Sequence, residues 1–375
     1  MLTKKANLYQ YCYAASYSEL SEKNQCNNHW GCYIDKKKLP EKSPEIIFGA
    51  DPNKANLADW MFVMDVPLFN CSTTIPRERR ILFLAEPPMI REYDTKYLEQ
   101  FGVVVSPYKI SDFSGYLMVE NPRLGWFVGR GAGSEACKPI FNELSDVKDY
   151  IQPAKTKMAS IVTSLKKSQV EYQRRILFFE ALINHFGTRI DYYGRDFSPI
   201  YEKLDAIAPY KYHICVENSV VNNYWTEKLA DAWIAWSLPI YCGAPNILEE
   251  IPDPQGIEII DIDNIPASIK KIEKIFRDDF YHTRMDAIKC CRDWVIQEVN
   301  PFKKVAEIIR NASPSILRIP KLTEPYKIAP PKKRKKNLLK RVQEIITSHK
   351  GRIIATRAHD KYLKMNALQD DRVNG

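Results

Sequence analysis

No run in this 375-residue chain approaches the roughly 18–20 apolar residues that a membrane-spanning helix needs; the longest, such as ILFLA at 81–85, are of strand length. The amino terminus, MLTKKANLYQYCYAASYSELSEK, lacks the unbroken apolar core of an export signal, so the protein is expected to be made and kept in the cytoplasm. No internal repeat of fixed period is visible. The nine cysteines are odd in number and scattered through apolar segments, which argues against a disulfide framework and for free thiols. Cys26, His29 and Cys32, with Cys12 as a fourth ligand, have metal-like spacing, but no second knuckle pairs with them and no zinc site is expected. The six histidines form no ligand pattern, and His213, inside a strand-like run, reads as packed.

What is present is a chain with 45% hydrophobic residues, long enough for two domains with cores of their own. Its net charge of +9 is unevenly placed. Between Lys327 and Lys364, thirteen Lys or Arg stand against Glu344 and Asp360, an excess of eleven that leaves the rest of the chain at −2. A nearly neutral body with a basic tail differs from a basic nucleic-acid-binding domain.

The first half shows short apolar runs ending in polar loops: PEIIFGAD, WMFVMDVP, RRILFLAEPP and GVVVSPY. From Met158 the alternation sharpens into strand MASIVTS, helix VEYQRRILFFEALINHFG closed by Gly187, strands RIDYYG and YKYHICVEN, helix TEKLADAWIAW, strands LPIYCG and IEIID, and helix PASIKKIEKIF. This βαβ rhythm predicts a doubly wound, largely parallel α/β sheet. A break at YIQPAKT and the proline-rich, then basic, stretch from Ile319 divide the chain into an amino-terminal domain (1–152), a carboxyl-terminal domain (153–318) and a linker with a basic tail (319–375).

The densest unusual composition lies at 210–247. A strand ends in Glu217, Asn218 and Ser219, and after a polar loop a helix opens at Thr226, Glu227 and Lys228. Strand ends of parallel sheets and helix N-termini gather anions, because free N–H groups and the helix dipole both favour negative charge. Lys228 opposes that dipole, so it is badly placed for helix stability but well placed to strengthen an anion site; simple capping with a solvated lysine is the plain alternative. Glu227 suits the dipole and could accept from a ribose diol.

The segment VENSVVNNYWTEKLADAWIAWSLPIYCGAPN resembles the signature of the fucosyltransferases of glycosyltransferase family ten: Phe-Glu-Asn-Ser, a spacer, Tyr-x-Thr-Glu-Lys, an apolar helix and Pro-x-Tyr-x-Gly. SIVTS, the helix holding Arg175, and DYYGR at Asp191–Arg195 extend the resemblance over Met158 to Asn300, while the amino half matches in outline only. The resemblance implies a GT-B fold, two Rossmann-like domains facing a cleft, with GDP-fucose as donor substrate and no required cofactor. By motif position, Arg175 and Lys228 would hold the diphosphate, Glu227 the ribose, and Asn218 and Tyr224 would line the donor pocket. An inverting transfer needs a base, for which the family's strand-end glutamate points to Glu86, although AEPP departs from the usual Asn after it; Asp65 is the rival carboxylate.

Two motifs are set aside. GRGAGS at Gly129–Ser134 has the wrong glycine spacing for a dinucleotide loop and reads as a flexible loop. Asp261-Ile-Asp263 matches the D-x-D of metal-dependent transferases, but its place before the helix at Pro266 reads as capping, so no metal is expected.

In the tail, Leu338, Leu339, Val342, Ile345 and Ile346 share one helical face beside the KKRKK run. Such a stripe suits peripheral contact of 332–350 with an anionic membrane, on the inner face of the cytoplasmic membrane; docking on the enzyme's own body or homodimerisation is the alternative. Nucleic acid is not an expected partner, because no aromatics interleave with the cluster. The reading is an inverting fucosyltransferase acting on a surface glycan acceptor, such as an N-acetylglucosamine-containing lipopolysaccharide. Its rivals are the same fold with another nucleotide sugar, and a non-catalytic, membrane-associated binder of nucleotide or glycan.

Overall fold

The computed structural model describes residues 9–14, 33, 45–49, 51, 56–67, 71–131, 139–165, 170–331 and 338–373. The amino-terminal part contains β1 (Tyr9–Ala14), β2 (Glu45–Gly49), β3 (Trp60–Met64), the short β4 (Ser72–Thr73), β5 (Arg80–Phe83), helix α1 (Thr95–Leu98), β6 (Val103–Ser106) and β7 (Tyr116–Val119). Six of these strands form a sheet ordered β2-β1-β3-β5-β6-β7 with every neighbouring pair parallel. Met61, Phe62, Val63, Ile81, Leu82 and Phe83 are fully buried, as strands covered on both faces require.

After helix α2 (Leu144–Asp149) come β8 (Lys157–Val162), α3 (Val170–Phe186), β9 (Ile190–Tyr193), β10 (Tyr210–Val216), α4 (Glu227–Ile234) and β11 (Leu238–Cys242). Helix α5 (Ile247–Glu250), β12 (Glu258–Ile259) and α6 (Ile265–Asp278) complete a second parallel sheet, ordered β12-β11-β10-β8-β9. The chain runs outward from β8 to β9, then returns to build β10 on the other side of β8. Ligands of such sheets settle at the carboxyl ends of the strands flanking that reversal. The architecture is thus two doubly wound α/β sheets, as the GT-B expectation holds.

The last elements tie the two halves together. Helix α7 (Met285–Glu298) packs on α4. Helix α8 (Pro301–Arg310), inside the stretch assigned above to the carboxyl-terminal domain, crosses to the amino-terminal sheet, where the Phe302 ring stands 5.0 Å from Phe48 and 6.0 Å from Phe62. Past α9 (Pro314–Leu317), the proline-rich stretch is extended, as expected of a linker, but it is also bound. Leu322 donates to the Thr74 carbonyl, Ile328 donates to that of Cys71, and β13 (Tyr326–Lys327) pairs antiparallel with β4. Arg80 lies under the Tyr326 ring at 4.5 Å. Helix α10 (Leu338–Val373) then returns to pack on α3, burying Ala355, Ala358 and Tyr362. No helix among the described residues is long and apolar enough to cross a membrane.

Candidate functional site

The carboxyl ends of the two sheets flank a cleft of about 730 Å³. Glu86, Arg175, Asn218, Tyr224, Glu227 and Lys228 all line it, so residues separated by more than a hundred positions meet in one space. Glu86 follows β5 on the amino-terminal wall; the other five come from α3, the loop after β10 and the start of α4.

The start of α4 is held by a carboxylate rather than by solvent. Thr226 is the cap, its side chain accepting from the Lys228 amide, and Glu217 at the end of β10 receives the Thr226 amide at 2.7 Å and its hydroxyl at 2.8 Å. The Lys228 ammonium lies 2.9 Å from the Thr226 oxygen, 3.2 Å from Glu217 and 3.3 Å from Glu227. The adverse dipole is therefore offset by two carboxylates. Glu227 is in turn 3.6 Å from Lys203, whose ammonium sits 2.6 Å from Asp231. The result is an alternating chain: Glu217, Lys228, Glu227, Lys203, Asp231. Burial alone would raise Glu227, but Lys228 and Lys203 outweigh it and hold the carboxyl down at about 2. Burial would likewise lower both lysines, and their carboxylate neighbours instead raise them.

Arg175 occupies the other side of this wall. Its side chain is 6% exposed, with a guanidinium packed against the Tyr172 and Phe179 rings at 5.5 and 5.8 Å. One terminal nitrogen donates to Asn218 Oδ1 and the other reaches Thr163 Oγ1 at 3.4 Å, while Nε has no partner among the described residues. A buried guanidinium carrying an unused donor is costly unless an acceptor arrives. Tyr224, 2% exposed, is set by a turn in which Asn223 (φ +61°) and Asn246 exchange hydrogen bonds at 2.8 Å. The polar spacer VVNNYW is thus a built loop.

On the facing wall two carboxylates differ. Asp65, in a left-handed conformation (φ +58°), accepts from the Ala85 amide at 2.7 Å and from the Tyr93 hydroxyl, while its carbonyl takes the Tyr97 hydroxyl at 2.6 Å. Glu86 makes no side-chain hydrogen bond or ion pair among the described residues. Burial and then Asp65 raise its carboxyl above the usual range, with Lys228 and Arg91 pulling the other way. A raised, unengaged carboxyl beside a cation-lined pocket is the arrangement a proton acceptor needs.

The motifs set aside are structural where they are described. Asp261 Oδ1 takes the Asp263 amide at 2.9 Å, Asp263 pairs with Arg174, and Asn264, not either aspartate, caps α6. Among the described residues no group of His, Cys, Asp or Glu could hold a metal. Cys26, His29 and Cys32 lie outside the described residues, and Cys12 is a buried free thiol in β1. His213 Nδ1 sits 2.9 Å from Ser160 Oγ inside the sheet, and burial pushes the ring down to about 3. Gly129 and Gly131, expected in a flexible loop, are instead anchored: both amides donate to Glu202, at 2.7 and 3.0 Å. Residues 132–138 of that loop lie outside the described residues.

Lys203, Arg91 and Arg130 also line the cleft and were not anticipated. Nothing local marks Lys203 in YEKLD. Its partner could have: Asp231 is the sole acid inside the apolar run ADAWIAW and is 0% exposed, so it requires a buried cation from elsewhere.

Comparison with known proteins bears on the same stretch. Residues 152–284 match the family described as Glycosyltransferase family 10 (fucosyltransferase) C-term. The chain is 26% identical over 195 residues to Alpha-(1,3)-fucosyltransferase FucT of Helicobacter pylori, covering 50% of this chain and 36% of that one. To the human 4-galactosyl-N-acetylglucosaminide 3-alpha-L-fucosyltransferase FUT6 it is 26% identical over 248 residues, 58% of this chain and 68% of the other. The chain thus spans little more than a third of the Helicobacter pylori relative, and 57% of the FUT6 relative of Pongo pygmaeus. A solved structure described as "Crystal Structure of alpha1,3-Fucosyltransferase with GDP" superposes with a TM-score of 0.45 at 17% identity, covering 85% of this chain and 93% of the other. The segment 152–284, which matches the glycosyltransferase family 10 model, is the one that supplies the Arg175, Asn218, Tyr224, Glu227 and Lys228 wall of the cleft.

Proposed function

We propose that the protein is an inverting glycosyltransferase that moves fucose from GDP-fucose to a hydroxyl of a glycan acceptor. The observation that carries this reading is the buried Arg175 guanidinium, with a donor unused among the described residues, sharing one cleft with Lys228 and with Glu86, whose carboxylate has no partner among the same residues. As the bond between the sugar C1 and the β-phosphate oxygen breaks, its electron pair passes to the diphosphate. Arg175, with a forked set of donors, and Lys228, a compact charge, stabilise that growing negative charge most in the transition state. Glu227, ionised at any working pH, accepts from the ribose hydroxyls. On the opposite wall Glu86 takes the proton from the acceptor hydroxyl as its oxygen bonds to C1.

The relatives named above as fucosyltransferases support fucose as the transferred sugar, and the FUT6 name supports an N-acetylglucosamine-containing acceptor. Within the same reading the product is a bacterial-type surface glycan such as lipopolysaccharide. The basic stretch 332–350 then holds the enzyme against the anionic inner face of the cytoplasmic membrane.

Calorimetric titration with GDP, GDP-fucose, GDP-mannose and UDP-galactose, repeated on Lys228→Ala, tests the donor assignment. The expected result is selective binding of GDP and GDP-fucose, weakened roughly 10²-fold in the variant. Binding of UDP-galactose in preference to every guanine nucleotide would assign the cleft to another donor, and no binding at all would remove the transferase reading.

A further inference from the structure

We propose that helix α10 is a positioning element of the donor site: by clamping α3 and the loop after β9 it fixes where the Arg175 guanidinium stands in the cleft. The inference rests on the donor reading above and assigns a role to a segment whose sequence reads as a membrane tail.

Two sets of contacts carry it. The first holds α3 on both sides of Arg175. Two residues before it, the Gln173 side-chain amide donates through Nε2 to the Thr347 carbonyl of α10. Five residues after it, Glu180, itself buried, receives Arg357 at 2.6 Å and Lys361 at 2.7 Å. A buried carboxylate whose cations come from another element ties the two helices firmly, since losing them strands a charge. Between these anchors the small residues Ala355 and Ala358 let α10 seat closely against the core that contains Phe179 and Leu182 of α3.

The second set holds the other support of Arg175. The Tyr362 hydroxyl stands 2.8 Å from Ser198 Oγ, its ring packs 5.0 Å from Phe197, and His359 Nδ1 donates to the Asp196 carbonyl at 2.8 Å. The Asp196 carboxylate in turn takes the Leu165 amide at 2.8 Å. Gly194 (φ +126°) lies so close to β8 that a Cβ there would stand 1.8 Å from the Thr163 carbonyl oxygen. Thr163 is the residue whose hydroxyl accepts from Arg175. The helix that bears the guanidinium therefore abuts α10 directly, and the strand end that receives it is braced by the loop after β9, which α10 holds. A tail serving only as a membrane tether or a dimer contact has no need to reach either.

The test uses the full chain and a double-mutant cycle: wild type, Ala358→Arg, Arg175→Ala and the combination. Hydrogen exchange of amides 163–165 and 170–180 reads the support directly and is expected to quicken in Ala358→Arg. GDP titration is expected to weaken about five- to ten-fold in Ala358→Arg, and by no further factor once Arg175 is already alanine. Wild-type GDP affinity despite quickened exchange, or equal weakening in both backgrounds, overturns the proposal. Should Ala358→Arg fail to fold, Arg357→Ala with Lys361→Ala takes its place, with Arg357→Lys plus Lys361→Arg expected to restore affinity. If the wild type binds no GDP, the donor reading falls, and the same cycle titrated with inorganic pyrophosphate decides the role of α10; no binding of pyrophosphate overturns both.

Discussion

The carboxyl-terminal wall of the cleft and the amino-terminal wall both carry partly or fully buried carboxylates, yet they surround them with different partners. On the carboxyl-terminal wall Glu217, Glu227 and Asp231 alternate with Lys228 and Lys203, and Glu227 is held down at about 2. On the amino-terminal wall no lysine or arginine pairs with Asp65 or Glu86 among the described residues, and burial raises both. On the first wall Lys203 and Lys228 hold Glu227 ionised and are themselves raised by their carboxylate neighbours, although burial still raises Asp231, and this suits a cradle for an anion. The second is poised to change its proton count, which suits a group that must accept one. Exchanging the two environments would give a base held ionised by its cations and a cradle whose carboxylate takes up a proton more readily.

That contrast breaks most visibly at Glu86. Glu86→Gln removes the proposed proton acceptor while keeping shape and leaving the opposite wall intact. Release of GDP from GDP-fucose in the presence of acceptor is expected to fall by about 10³, within the range for a lost general base, while the GDP dissociation constant stays within about threefold. A fall in binding matching the fall in turnover would place Glu86 in the cradle instead. Next in size is Arg175→Lys. A compact ammonium cannot reach Asn218, Thr163 and an incoming anion at once, so GDP affinity is expected to drop about 10²-fold although the charge is kept. Full retention of affinity would show that charge alone, and not the forked geometry, holds the diphosphate.

The carboxyl-terminal wall was far more legible in the sequence than its counterpart, for physical reasons. Thr226, Glu227 and Lys228 are consecutive, and Asn218, just past the end of β10, lies a few residues upstream, so one short segment displays most of the site. Helix α3 and its end at Gly187 follow from periodicity and one left-handed glycine. The amino-terminal wall is assembled from separate strand ends, and its logic lies in what Asp65 touches: Tyr93 and Tyr97, some thirty residues away, engage it, while the Glu86 side chain has no partner among the described residues. No local pattern ranks the two acids. Lys203 escaped notice because its partners follow it by 24 and 28 positions. The proline-rich stretch after Ile319 was read from composition, which reports an extended backbone but not that β4 lies ready to pair with it.

Lys203 sharpens the comparison because it belongs to the paired wall without occurring in any motif. Lys203→Met strands Asp231 in the core and is expected to cost about 3 kcal/mol of stability, read from urea unfolding. Adding Asp231→Asn removes the stranded charge, keeps an acceptor for the Phe127 and Val128 amides, and is expected to recover most of that loss. Donor affinity should nevertheless remain about tenfold below wild type, because Glu227 has lost one of the two cations that orient it. The pH dependence should change too. With Lys203 in place, Glu227 is ionised far below neutrality; without it the carboxyl titrates higher, so GDP binding in the double variant should weaken on acidification earlier than in the wild type. Recovery of affinity together with stability would reduce Lys203 to a structural counter-ion of Asp231.

The smallest effect is expected at Asp65, and its sign is the informative part. Burial is the largest cause of the raised Glu86 carboxyl and the Asp65 charge is the second, with Lys228 and Arg91 opposing them. Asp65→Asn keeps an oxygen to accept from the Ala85 amide and the Tyr93 hydroxyl but removes the like charge. Glu86 then loses its proton more readily, so the acid limb of the kcat/KM profile for fucosyl transfer should move to lower pH. Brønsted behaviour sets a cost against this gain: a weaker base accepts a proton less well in the transition state, and the plateau rate above the limb should fall modestly, by about twofold. A limb that stays where it was would mean that Asp65 is already protonated in the working enzyme and exerts no charge on Glu86. A limb that moves to higher pH would mean that another group is the titrating base.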